Sequence, residues 1–208
     1  MCDTGSDRSI DETMLRIAGP SVASSSTVRN TSVIAVGGDH FSNDLAVGLR
    51  TPIPEAEKIK RDYAVAMHEM LEQDRPIEIA SVGDRPPRTV FSRMLAEITE
   101  ARAQELFSLI RDELRRAGLD SQIPAGLIFT GGGARLRGLP ELAEKMLSMP
   151  VRVSLPRGLA GITDEISQPE YSTAVGLVLY GARTRRIAGA KPSGWTGKLK
   201  ALFAGQAS

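Results

Sequence analysis

Apolar positions recur along this chain at two different periods, and the switches between them mark its elements. TSVIAVGG, residues 31–38, is a β-branched run closed by Gly37 and Gly38, which predicts a strand and a turn. DHFSNDLAVGL, 39–49, predicts a short helix with Asp39 or Ser42 as N-cap. TPIPEAEKIKRDYAVAM, 51–67, predicts a second helix, with Thr51 as N-cap, Pro52 in the first turn, and acids before bases along its dipole. PIEIASV, 76–82, predicts a strand halted by GDRPPR. Residues 88–120 predict one long helix: Phe91, Met94, Leu95, Ile98, Leu106, Leu109 and Ile110 fall at helical spacing, and Gly118 supplies a C-terminal stop. The apolar-poor turns between Ile98 and Leu106 predict a wet face.

The same reading continues with a strand at GLIFT (126–130), a glycine loop, a helix at LPELAEKML (139–147) and a strand at VRVSL (151–155). A last helix spans PEYSTAVGLVLYGARTRR (169–186). Strands alternating with helices predict an α/β domain with an at least partly parallel sheet. Residues 1–27, which mix Ser, Asp, Gly and Pro, predict a poorly ordered segment, so the domain is expected over 28–182. Residues 183–193, basic and then Gly/Pro/Ser-bearing, predict a linker before a final short helix at 194–204.

Composition narrows the function classes. The 208 residues carry 26 Lys plus Arg against 25 Asp plus Glu, which gives no bulk pull toward nucleic acid. The single cysteine, Cys2, cannot form an internal disulfide and fits a reducing cytoplasm. No apolar run approaches the roughly 18 residues of a membrane span, and nothing near Met1 reads as a signal peptide. His40 and His68 lack a second histidine or cysteine at ligand spacing, so neither a metal site nor a catalytic set is expected.

The stretch GLIFTGGGARLRGLPELAEK, 126–145, carries the most chemistry. Consecutive glycines after a strand let the backbone adopt positive φ and let a ligand lie against bare peptide, and the following helix N-terminus favours anions. Gly131, Gly132, Gly133 and Gly138 match neither the P-loop nor the dinucleotide fingerprint. On spacing alone, a packing corner and a ligand site are equally good readings.

Three blocks taken together carry a resemblance: VIAVGGDHFSNDLAVGLRTPIPEAEKIK, FTGGGARLRGLPELAE and PEYSTAVGLVLYG, with the long helix MLAEITEARAQELFSLIRDEL between the first two. In this order they resemble the bacterial cell-division FtsA family, within the actin/Hsp70-like ATPases, over about residues 28–204. The resemblance implies the C-terminal lobe of an actin-like, ribonuclease H-like ATPase fold, incomplete, with a C-terminal amphipathic helix. It implies that Gly131, Gly132, Gly133 and Ala134 pack against the adenosine of a nucleotide, with Glu57 and Lys60 as the polar residues nearest ribose and base. A carboxylate accepts from ribose hydroxyls, and a lysine stem packs over a ring; a solvated helical face is the plain alternative. The family's two phosphate-binding hairpins are absent or decayed. The first would lie outside this chain, and CDTGSDRSID stands where the second belongs, with Asp3 and Asp11 reading as loop acids. Phosphoryl transfer depends on both clamps and a metal, so ATP binding is expected weak or lost, Mg2+ absent, and ATPase activity absent.

At the C-terminus Trp195, Leu199, Leu202 and Phe203 fall on one face, flanked by Lys198 and Lys200 placed to snorkel toward headgroups. This predicts an in-plane membrane helix, as the resemblance also implies. The expected function is a truncated adaptor that tethers the ring of the tubulin-like protein FtsZ, through its C-terminal peptide, to the inner face of the bacterial cytoplasmic membrane at the division site. Partners are that peptide, copies of itself as in actin-like filaments, and an anionic membrane surface. Arg93, Arg102 and Arg111 are candidates for the acidic peptide and equally good as solvated face. The alternatives are a fragment of a complete actin-like ATPase or of a PilM-type pilus-assembly protein.

Overall fold

A computed structural model describes residues 13–18, 28–83, 85–119, 123–157 and 166–187. They divide into two compact units, one ending at Ser154 and one beginning at Leu155. In the first, β1 (Thr13–Ala18) pairs antiparallel with β2 (Val28–Ile34). Helices α1 (Gly38–Gly48) and α2 (Ile53–Tyr63) follow, then β3 (Pro76–Ile79) antiparallel to β4 (Arg88–Phe91). The long helix α3 (Ser92–Arg116) leads to β5 (Leu127–Phe129), α4 (Leu139–Leu147) and β6 (Val151–Val153), which runs parallel to β5. The expected mixed α/β architecture is present, with β5–β6 supplying its parallel pairing.

Two apolar cores form in this unit, and α3 contributes to both. One gathers Phe41, Ala103, Leu106, Phe107, Ile110 and Leu114 with Leu139, Leu142 and Leu147 of α4. The other gathers Leu45, Leu49, Ala56 and Ile59 of the α1–α2 pair with Ile77, Ile79, Val90 and Leu95. Burying these faces removes apolar area from water at about 25 cal/mol per Å², the main term holding α3 against its neighbours.

The structure corrects several expectations. Residues 13–18, predicted as part of a poorly ordered segment, form β1. The run 88–120 is not one helix: Arg88–Phe91 form a strand because β3 supplies a ladder, and α3 starts at Ser92. Its apolar stripe is offset from the predicted one. Phe91, Met94 and Leu109 are exposed, whereas Thr99 and Ala103 are fully buried. Neither Asp39 nor Ser42 caps α1; Gly37 does, and the Gly37 amide donates to Nδ1 of His40. Thr51 does not cap α2, which begins after Pro52; its hydroxyl donates to the Ala80 carbonyl. Helix α2 stops at Tyr63, short of the predicted Met67. Gly118 does close α3, in the left-handed region at φ +66°.

In the second unit, α5 (Ser172–Ile187) follows a single 3-10 turn at Pro169–Tyr171 and runs into the span predicted as a linker. Val175 is buried, while Leu177, Val178 and Tyr180 are exposed. The predicted membrane-binding residues Trp195, Lys198, Leu199, Lys200, Leu202 and Phe203 lie outside the described residues, as do Cys2, Asp3 and Asp11.

Candidate functional site

The glycine loop leaves β5 through Thr130 and makes one 3-10 turn, Gly132–Arg135, before Gly138 starts α4. Its glycines do not all answer the same demand. Gly131 has φ +86°, a backbone that L side chains rarely adopt. Gly138, at φ +79°, is a corner set by the same backbone demand, and a Cβ there would also press on the mobile end of Met70, 2.6 Å from its Sδ. Gly133 answers neither demand, since a Cβ built on it meets nothing within 4 Å and its φ is not left-handed. Ala134 is buried and anchors the turn, its amide donating to the Gly131 carbonyl at 3.2 Å. The corner and the ligand-site readings therefore divide between residues: Gly138 is a corner, and Gly133 is bare backbone facing open space.

The second group sits where α1 meets α2. Ala56 and Ile59 are pinned in the core, which places Glu57 and Lys60 half-buried at the α1 edge. Lys60 Nζ contacts Glu57 Oε2 at 2.6 Å and donates to Ser42 Oγ at 2.8 Å and the Gly38 carbonyl at 2.9 Å. Ser42 Oγ donates to Glu57 Oε2 at 2.5 Å, and Arg61 Nε donates to Glu57 Oε1 at 2.8 Å. Burial pushes the Glu57 carboxyl up, but the hydrogen bonds from Lys60, Ser42 and Arg61 outweigh it and hold the group below its ordinary value. At neutral pH it is an anchored carboxylate.

Glu57 and Lys60 are thus brought together. The glycine loop stands on a separate element, but the two are fastened at their exits. Ala64–Ala66, the continuation of α2, pairs in parallel with Arg137 through Val65, and the Ala66 amide donates to the Arg137 carbonyl at 2.7 Å. Thr99 of α3 locks the same segment by donating to the Val65 carbonyl at 2.5 Å.

The arginines proposed for an acidic peptide are differently disposed. Arg93 is exposed and contacts Glu97 at 3.2 Å, while Arg102 is committed to Asp44 and Glu105. Arg111 buries its Nε without a hydrogen-bond partner. His68 lies in a 3-10 turn, with Nδ1 2.6 Å from Glu100 Oε2. Among the described residues no three His, Cys, Asp or Glu side chains converge on a metal position. Reading the sequence missed Ser42 and Arg61. Arg61 was findable as the i+4 partner of Glu57, but nothing in the sequence marks Ser42 as the partner of a residue on the next helix.

The profile of the cell division protein FtsA matches residues 20–176. The chain is 47% identical over 154 residues to the cell division protein FtsA of Pseudomonas aeruginosa, covering 74% of this chain and 37% of that protein. It is 37% identical over 161 residues to that of Escherichia coli K12, covering 74% and 38%, and 35% identical over 162 residues to that of Bacillus subtilis, covering 78% and 36%. The chain therefore spans little more than a third of the length of these relatives. Among solved structures, MreB5 of Spiroplasma citri bound to ADP superposes with a TM-score of 0.63 at 16% identity, over 80% of this chain and 50% of that one. A PilM–PilN type IV pilus biogenesis complex superposes at 0.54 and 19%, over 74% and 39%. These distant neighbours share the actin-like fold, whereas the much higher identities lie with one family: the chain belongs to the cell division protein FtsA family.

Proposed function

We propose that this chain is an adaptor lobe in bacterial cell division, tethering the C-terminal peptide of FtsZ to the inner face of the cytoplasmic membrane, and that it keeps the adenosine end of a nucleotide site without hydrolysing ATP. Membership of the FtsA family over residues 20–176 carries the reading. The bare backbone at Gly133 supports the adenosine half, because neither φ nor packing within the chain calls for glycine there. Gly131, Gly132, Gly133 and Ala134 form one wall of that site and Glu57 and Lys60 the other, with Mg2+ and phosphate clamps not supplied by these residues. The amphipathic stretch Trp195–Phe203 supplies the membrane contact. Among the described residues no helix is long and apolar enough to cross a membrane.

Vesicle flotation tests the tether. The purified chain is mixed with anionic vesicles and a fluorescent FtsZ C-terminal peptide; the peptide floats with the wild-type chain and stays in the dense fraction with Trp195→Glu. Equal flotation with the variant overturns the membrane role, and vesicles that carry the chain but no peptide overturn the FtsZ role. Hydrolysis of ATP above that of a variant with Gly131–Gly133 replaced overturns the non-enzyme reading.

A further inference from the structure

The donor and acceptor count around Glu57 divides the labour of the adenosine wall. An ammonium has three donors, and Lys60 spends all three inside the chain, on the Gly38 carbonyl, Ser42 Oγ and Glu57 Oε2. Ser42 is 2% exposed, and its hydroxyl bridges the two, accepting from Lys60 and donating to Glu57. Its distance to the Gly38 carbonyl, 3.4 Å, is too long to compete with the 2.5 Å bond to Glu57 for its one proton. Glu57 Oε2 is therefore occupied twice from within. Among the described residues Oε1 receives only Arg61 Nε, from a side chain that is 74% exposed, and so keeps an acceptor position on the solvent side.

We propose that Ser42 is a positioning residue for a sugar-binding carboxylate: its buried hydroxyl ties Lys60 to Glu57, so that recognition of ribose hydroxyls falls to Glu57 Oε1 and Arg61 rather than to the lysine. The proposal rests on the adenosine reading above. It also explains the choice of a small hydroxyl residue on the buried face of α1, where an apolar side chain would leave a lysine donor half-buried without a partner and would take from Glu57 Oε2 one of its two donors.

The test separates the two levels. In the ligand-free chain, the Glu57 carboxyl is titrated by carbon NMR in wild type, Ser42→Ala and Ser42→Thr. The alanine variant titrates higher and the threonine variant follows wild type; identical titration in all three overturns the clamp. Calorimetric binding of ATP, 2′-deoxyATP and 3′-deoxyATP then reads the sugar. Wild type prefers ATP over at least one deoxy analogue by about three- to tenfold, the worth of one hydrogen bond. Ser42→Ala brings that preference toward unity and Ser42→Thr retains it. A preference unchanged in Ser42→Ala overturns the positioning role, as does equal weakening of all three ligands. A wild-type chain that binds no adenine nucleotide overturns the adenosine reading and the sugar role with it, leaving the titration to decide the clamp alone.

Discussion

Arg102 of α3 grips Asp44 of α1 with two arms, Nε to Oδ2 at 2.5 Å and Nη2 to Oδ1 at 2.8 Å. The two side chains are 23% and 25% exposed, so the pair sits between a screened surface bridge and a buried one. It fixes the helix that carries Gly38 and Ser42 against the helix that spans both cores. Arg102→Met keeps the stem and leaves Asp44 without its partner. The expected loss is about 1–2 kcal/mol, between the values for exposed and buried pairs, measured by urea denaturation. A guanidinium so committed is also unavailable to an acidic peptide, so charge reversal at Arg93, which is exposed, is the sharper probe of that contact.

Thr99 is fully buried in the middle of α3, and its hydroxyl lies within hydrogen-bonding distance of the carbonyls of Val65, Leu95 and Ala96. Thr99→Val preserves shape and removes the donor, stranding the Val65 carbonyl. Thermal melting should show a loss of about 1–2 kcal/mol. Hydrogen exchange should rise at Ala66, whose amide bonds to Arg137 beside the glycine loop.

Two glycines in the same region should answer alanine in opposite ways. At Gly126, φ is +75° and a Cβ would lie 1.9 Å from the Pro150 carbonyl oxygen, a clash that parts β5 from the turn before β6. Gly126→Ala is expected to cost more than about 3 kcal/mol, since strain and overpacking add. Gly133→Ala meets open space and should stay within about 0.5 kcal/mol of wild type, as ordinary surface changes do. If Gly133 faces adenosine, the same variant loses nucleotide affinity while keeping its melting temperature; a drop in both would make Gly133 a structural residue.

Acidification should destabilise the chain through two carboxylates. Glu57 is pushed up by burial but held below the ordinary 4.5 by Lys60, Ser42 and Arg61. Glu100 is likewise pushed up by burial but held below 4.5 by the backbone amide and ring of His68, with Gln104 contributing. Because both folded values lie below the unfolded ones, the unfolded chain binds more protons near pH 4. Their stabilisation is present in full above about pH 5 and is lost as pH falls through the folded values. A denaturant series from pH 7 to pH 3 should show that fall, with a shallower acid limb in the Glu57→Gln, Glu100→Gln double variant.

The sequence by itself determined the local elements where one period was unambiguous. LPELAEKML, 139–147, is α4 residue for residue, since Pro140 sits in its first turn and its apolar positions repeat at helical spacing. It also determined the family, because three glycine-bearing blocks in fixed order are far more specific than any one of them. Tertiary structure decided what depends on partners distant along the chain. Arg88–Phe91 is a strand only because β3 offers it a ladder, and α2 ends at Tyr63 because Val65 and Ala66 find Arg137 and Thr99. Ser42 is a bridge rather than a helix cap because α2 lays Glu57 and Lys60 across it. Periodicity records which face of an element is apolar; it carries no record of which polar group will arrive opposite a given side chain, and the chemistry of this site is made of such arrivals.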